Sequence, residues 1–122
     1  MTVNIIEDDP ILAEHFARVL KDFHPQIFTN VLDAIQYLDH ELPQAIVLDI
    51  LLDGPSGFSL LNELQSYPDT AGIPVIICSN LAPEFSSHDL SGYGVVALLD
   101  KSTMLPQDLY YEVAKWIPAP KP

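Results

Sequence analysis

Short apolar runs at 3–6, 45–48, 75–78 and 95–99 recur along the chain, separated by amphipathic stretches long enough for helices. Runs this short, rich in Val and Ile and apolar at nearly every position, predict strands buried on both faces. A weaker run at 26–29 predicts a fifth strand with edge character. Strands separated by helix-length segments cannot close as hairpins. They need crossovers, which predicts a parallel sheet covered by helices on both sides.

The intervening segments carry helical spacing. Leu12, Phe16, Val19, Leu20 and Phe23 fall on one face of a first helix, with Glu14, Arg18 and Asp22 placed for i,i+4 pairs on its wet side. Asn30 is placed to cap a second helix whose apolar face is read as Leu32, Ile35 and Leu38, and Ser56 to cap a third at 58–65. Segment 81–93 is the weakest helix, interrupted by Pro83, serines and Gly92. The last helix is expected over 104–117 with Leu109, Val113, Trp116 and Ile117 on one face. One domain over 1–117 accounts for the chain, and the Pro-rich stretch 118–122 is expected as a tail or linker stub.

Composition narrows the function classes. A 48% hydrophobic content supports a core, whereas 5 basic against 17 acidic residues, net −12, repels phosphate backbones and argues against nucleic-acid binding. No run approaches the roughly 20 apolar residues of a membrane span, and the N-terminus lacks the basic region of a signal peptide. Cys78 stands alone inside an apolar run, which makes it a small buried hydrophobe and rules out a disulfide framework. A reducing cytoplasm is the expected compartment.

Ligands of open parallel α/β sheets bind at the carboxyl ends of the strands. Here those ends carry Glu7 and Asp8, Asp49, Ser79, and Asp100-Lys101. Three converging carboxylates repel one another unless a cation intervenes, and a hard divalent ion with oxygen ligands, most simply Mg²⁺, relieves the repulsion. Lys101 adds a second positive charge suited to a phosphoryl oxygen or a carboxylate. Phosphoryl transfer needs little beyond in-line positioning and neutralised charge, with Asp49 as the carboxylate nucleophile. Taken singly, acids after a strand are turn or cap residues, Ser79 a structural hydroxyl and Lys101 a solvated charge. The joint placement at strand ends is what carries weight.

With these residues in view, the chain resembles the receiver domain of bacterial two-component response regulators over nearly its whole length. Glu7-Asp8-Asp9-Pro10 is similar to the acidic pair closing strand one, Val47-Leu48-Asp49-Ile50 to the phosphoacceptor motif, Gly57 to the glycine eight residues later, and Ser79 and Lys101 to the Ser/Thr and Lys positions. The separations of 30 residues from Asp49 to Ser79 and 22 from Ser79 to Lys101 match that layout. The resemblance implies a flavodoxin-like (βα)5 three-layer sandwich, its five-stranded parallel sheet in order 2-1-3-4-5. It implies a signalling switch rather than an enzyme, with a histidine kinase or phosphotransfer protein as donor and a downstream protein partner. It further implies Asp49 as phosphoacceptor, Asp8 binding Mg²⁺ directly, Glu7 helping through water, the Leu51 carbonyl as a further ligand, and Ser79 and Lys101 meeting the phosphoryl group. Leu98 stands where the family commonly has a mobile aromatic, and Ser102 where it has a proline after the lysine. Leu51 and Leu81 flank the route of an attacking water that they cannot orient, which predicts slow self-dephosphorylation.

Three other readings compete. A pseudo-receiver would keep the fold as an interaction module without phosphorylation, and the missing aromatic leans that way. A haloacid-dehalogenase-like phosphatase would need a second acid in Asp49-Ile50-Leu51 and residues for a cap, and has neither. A flavin carrier is disfavoured because Glu7-Asp8-Asp9 would repel the flavin phosphate.

Overall fold

A computed structural model describes residues 2–52, 54–85 and 90–118. Five parallel strands, β1 (Val3–Ile6), β2 (Pro25–Phe28), β3 (Ala45–Leu48), β4 (Val75–Ser79) and β5 (Val95–Asp100), form one sheet in the order β2-β1-β3-β4-β5. This is the expected flavodoxin-like arrangement, whose order reverses between β1 and β3. All residues of β1, β3 and β4 are buried, while β2 at the edge is not.

Side chains alternate between two cores as the pleat requires. Val3, Ile5, Ala45, Val47, Ile76 and Cys78 pack toward α1 (Pro10–Val19) and α5 (Pro106–Ala114). Ile6, Ile46, Leu48, Val75 and Ile77 pack toward α2 (Val31–Tyr37) and α3 (Gly57–Gln65), which is followed by the one-turn α4 (Pro68–Ala71). Opposite β4 the ladder skips Val96, a bulge that leaves this residue outward.

Several helix expectations need correction. α1 stops at Val19, and a 3-10 turn at Lys21–Phe23 returns Phe23 to the core. Arg18 forms no ion pair with Glu14 or Asp22 among the described residues; Asp22 instead accepts a hydrogen bond from the Tyr110 hydroxyl at 2.9 Å. Asn30 caps α2 as expected, accepting from Asp33 N–H at 2.8 Å. The buried face of α2, however, is Val31 and Ala34 with Ile35 and Leu38, and Leu32 is 58% exposed. Ser56 occupies the N-cap of α3 without a side-chain capping bond. α5 spans less than expected, and because it ends at Ala114 Trp116 drifts off the buried face to 45% exposure. Of segment 81–93, Ala82–Glu84 and Ser91–Tyr93 are 3-10 turns rather than helix, and residues 86–89 lie outside the described ones. The tail beyond Pro118 does too.

Candidate functional site

The carboxyl ends of β1, β3 and β5 bring their polar residues together. Continuing the two-residue alternation, Glu7 follows Val3 and Ile5, Asp49 follows Ala45 and Val47, and Lys101 follows Ala97 and Leu99, all on the side facing α1 and α5. Lys101 Nζ lies 2.5 Å from Glu7 Oε1 and 2.7 Å from Asp49 Oδ2. Glu7, Asp8 and Asp49 each present a carboxylate oxygen within 4.8 Å of the others. Glu7 is 1% and Asp49 5% exposed.

Local geometry fixes each member. Asp49 N–H donates to Ile6 O at 3.1 Å, which sets Asp49 beside Glu7, and Asp49 Oδ1 accepts from Leu51 N–H at 3.2 Å. The loop leaving Asp49 crosses directly over the start of α3, where Gly57 N–H donates to Ile50 O at 3.0 Å. A Cβ at Gly57 would sit 2.5 Å from Asp49 O, so only glycine admits this crossing. Asp9, the third acid of the run, is spent on structure. Its Oδ1 caps α1 through Ile11 and Leu12 N–H, and its own N–H donates to Glu7 Oε2 at 3.1 Å. Lys101 is carried on a turn held by Asp100, whose Oδ1 accepts from both N–H and hydroxyl of Ser102 at 3.0 and 2.7 Å. That side-chain clamp stands where the resemblance leads one to expect proline, and no peptide bond among the described residues is cis.

Ser79 comes to the same rim on β4 but falls on the other parity, with Val75 and Ile77. It is fully buried, and its Oγ accepts from Leu81 N–H at 3.1 Å rather than meeting Asp49. Its O–H proton is therefore still available for donation. Leu51 is 57% exposed beside the cluster. Leu98 packs against the α2/α3 core.

Electrostatics explains the pairings. Carboxylate oxygens within 4.8 Å of one another repel by at least about 3.5 kcal/mol at an effective dielectric near 20. One lysine among three acids leaves two net negative charges. Burial pushes the Glu7 carboxyl above its ordinary value, more than its hydrogen bonds from Lys101 and Asp9 pull it down. Burial also works against the charge on Lys101, yet hydrogen bonds from that ammonium to Asp49 and Glu7 outweigh it and hold the group above its usual value. Cys78, on the same side and fully buried, has its thiol raised by desolvation and acts as packing. An all-oxygen donor set with residual negative charge fits a hard divalent cation such as Mg²⁺.

A doubly wound α/β module with an acidic cluster and one lysine at its switch point is the class that fold and site define. The response regulator receiver domain model matches residues 3–113, and the chain belongs to that family, one of signalling modules in two-component systems rather than of enzymes. Response regulator Rre1 of Synechocystis sp. is 26% identical over 102 residues, 80% of this chain and 43% of that protein. Heme response regulator HssR of Staphylococcus aureus is 33% identical over 75 residues, 60% of this chain and 32% of that protein. The chain thus spans less than half the length of either relative. Among solved structures, the signal receiver domain of a signal transduction histidine kinase from Syntrophus aciditrophicus superposes with a TM-score of 0.79 at 25% identity, covering 94% of this chain and 88% of that one. No helix among the described residues is long and apolar enough to cross a membrane.

Proposed function

We propose that the chain is a phosphorylation-dependent switch that accepts a phosphoryl group on Asp49 from a histidine kinase or phosphotransfer protein. The single observation supporting this most directly is the Asp49 carboxylate held 2.7 Å from Lys101 Nζ within a cluster of three acids. A carboxylate oxygen of Asp49 attacks phosphorus in line, forming an acyl phosphate while the bond from phosphorus to the donor imidazole breaks. The leaving imidazole takes up a proton. Lys101 transfers its hydrogen bond from Asp49 to a phosphoryl oxygen, and Ser79 donates its unspent O–H to another. Asp8, Glu7, Asp49 and the Leu51 carbonyl are the residues that would hold Mg²⁺, which when bound neutralises charge on the phosphoryl oxygens. Transfer of Lys101 from Asp49 to the phosphoryl group is the local event that a downstream protein partner would read at 81–93, 95–99 and the last helix.

Incubation with acetyl phosphate and Mg²⁺, followed by intact mass measurement, tests this reading. One added phosphoryl group on the wild type and none on Asp49→Asn is expected. An unchanged wild-type mass would favour a protein-interaction module that operates without phosphorylation.

A further inference from the structure

A second surface lies at the opposite edge of the sheet, where α2 and α3 end. A groove of about 290 Å³ opens there between the two helices. Ile35, Leu38, Leu42 and Tyr67 make its apolar part, with Leu42 and Tyr67 exposed. Asp39, Glu63 and Asp69 line the same groove, and none of the three carboxylates has a hydrogen-bond or ion-pair partner among the described residues. No Lys or Arg contributes to the lining. The carboxyl ends of both helices add the negative pole of the backbone dipole, and neither has a basic residue in its last turn.

We propose that this groove docks a basic amphipathic segment of a protein partner, an apolar anchor side chain flanked by Lys or Arg. The charge pattern selects that occupant over the others. A metal ion is disfavoured because these three acids do not gather their oxygens as Glu7, Asp8 and Asp49 do. A second copy of this chain is disfavoured because it carries 5 basic against 17 acidic residues and repels its own kind. Nucleic acid is disfavoured for the same reason. An apolar contact buries Leu42 and Tyr67, and the flanking cations meet carboxylates that lack partners now, which gives both affinity and orientation. The inference is independent of the chemistry at Asp49, which lies at the far ends of the strands.

The test uses a labelled peptide of leucines flanked by arginines, titrated into the full chain at low and moderate salt, with amide shifts mapped by NMR. Shifts centred on 35–42 and 63–70 are expected. Glu63→Gln/Asp69→Asn should bind about fivefold more weakly, the loss of two partly exposed ion pairs, while Glu14→Gln/Asp22→Asn, remote acids of equal charge, should bind as the wild type does. Replacing the peptide's leucines with serines should also weaken binding, and Asp49→Asn should not. Equal weakening by the two charge variants, or shifts spread over the whole surface, would overturn the proposal in favour of unspecific attraction to an acidic protein.

Discussion

Gly57→Ala sets two effects of opposite sign against each other. Gly57 opens α3 with ordinary backbone angles, so added Cβ by itself should stabilise the chain by about 0.4–1 kcal/mol through the unfolded state and helix propensity. Against this, the Cβ would stand 2.5 Å from Asp49 O and 2.9 Å from Ile50 Cα, both backbone atoms that no rotamer change can move. Reaching an ordinary contact of 3.4 Å requires the Asp49 loop to lift by about 0.9 Å, which strains the Gly57–Ile50 hydrogen bond of 3.0 Å. Overpacking of this kind costs about 1–3 kcal/mol, so the clash wins by roughly 1–2 kcal/mol. With a urea slope of about 1–1.5 kcal/mol per molar, the midpoint should fall by about 1 M. Gly72→Ala is the control, since nothing lies within 4 Å of its Cβ position and its φ is −89°. Divalent-ion affinity of Gly57→Ala should fall in parallel, because the Asp49 carboxylate moves with its carbonyl. A Gly57→Ala midpoint at or above the wild-type value would refute the close-approach argument.

Lys101→Met leaves Glu7 and Asp49 buried without their cation and should cost about 3 kcal/mol at neutral pH. Glu7 is already raised above its ordinary 4.5, so the native state holds extra proton from that value upward; stability therefore falls as pH rises through this window, more steeply in the variant, and a urea-midpoint difference constant with pH would count against the pairing. The acyl phosphate should outlast that of Leu51→Asn/Leu81→Glu once acetyl phosphate is removed, as followed by intact mass; equal lifetimes would discount shielding by the leucines. Tyr110 donates to Asp22, and that hydrogen bond, then burial, holds its phenol above the ordinary 10.0. The contact favours the neutral phenol, so its contribution is full below the unfolded value and is lost as pH rises past the folded one; Asp22→Asn should shift the phenolate absorbance titration to lower pH, and an unchanged titration would exclude the contact.

The strands were legible because burial on both faces leaves a signal that little else imitates, an apolar run with no wet position. The helix faces were less so. At α2 the expected face is Leu32, Ile35 and Leu38, although Val31, Ala34, Ile35 and Leu38 have the fuller i, i+3, i+4, i+7 spacing. The bulkier leucine outweighed a better period. At α5 the spacing of Trp116 suits a helix that continues, but the helix ends at Ala114, where Pro118 has no N–H to bond the Ala114 carbonyl and disfavours helix in the residue before it. The site was legible in its membership and not in its pairings. Residues 7, 49 and 101 could have been placed on one side by extending the alternation of their strands, and Ser79 on the other. In the sequence Gly57 stands out only by its spacing from Asp49; the reason for a glycine there, a loop and a helix end in contact, lies in the fold.

The two acidic regions of this chain differ in compactness, and that difference divides their chemistry. At the β1 and β3 ends the oxygens of Glu7, Asp8 and Asp49 lie within 4.8 Å of one another and two of the three residues are buried, so mutual repulsion is large, and a single compact cation answers it best. Lys101 supplies one such charge permanently but, shared between Glu7 and Asp49, leaves the cluster two charges short of neutral. At the ends of α2 and α3 the carboxylates are spread around apolar side chains, where repulsion is weak and a point charge gains little. Only a cationic group extended over several residues, with something apolar between its charges, satisfies both components there. An excess of acid that looks uniform in composition thus becomes, through strand ends on one edge and helix ends on the other, two sites of different selectivity.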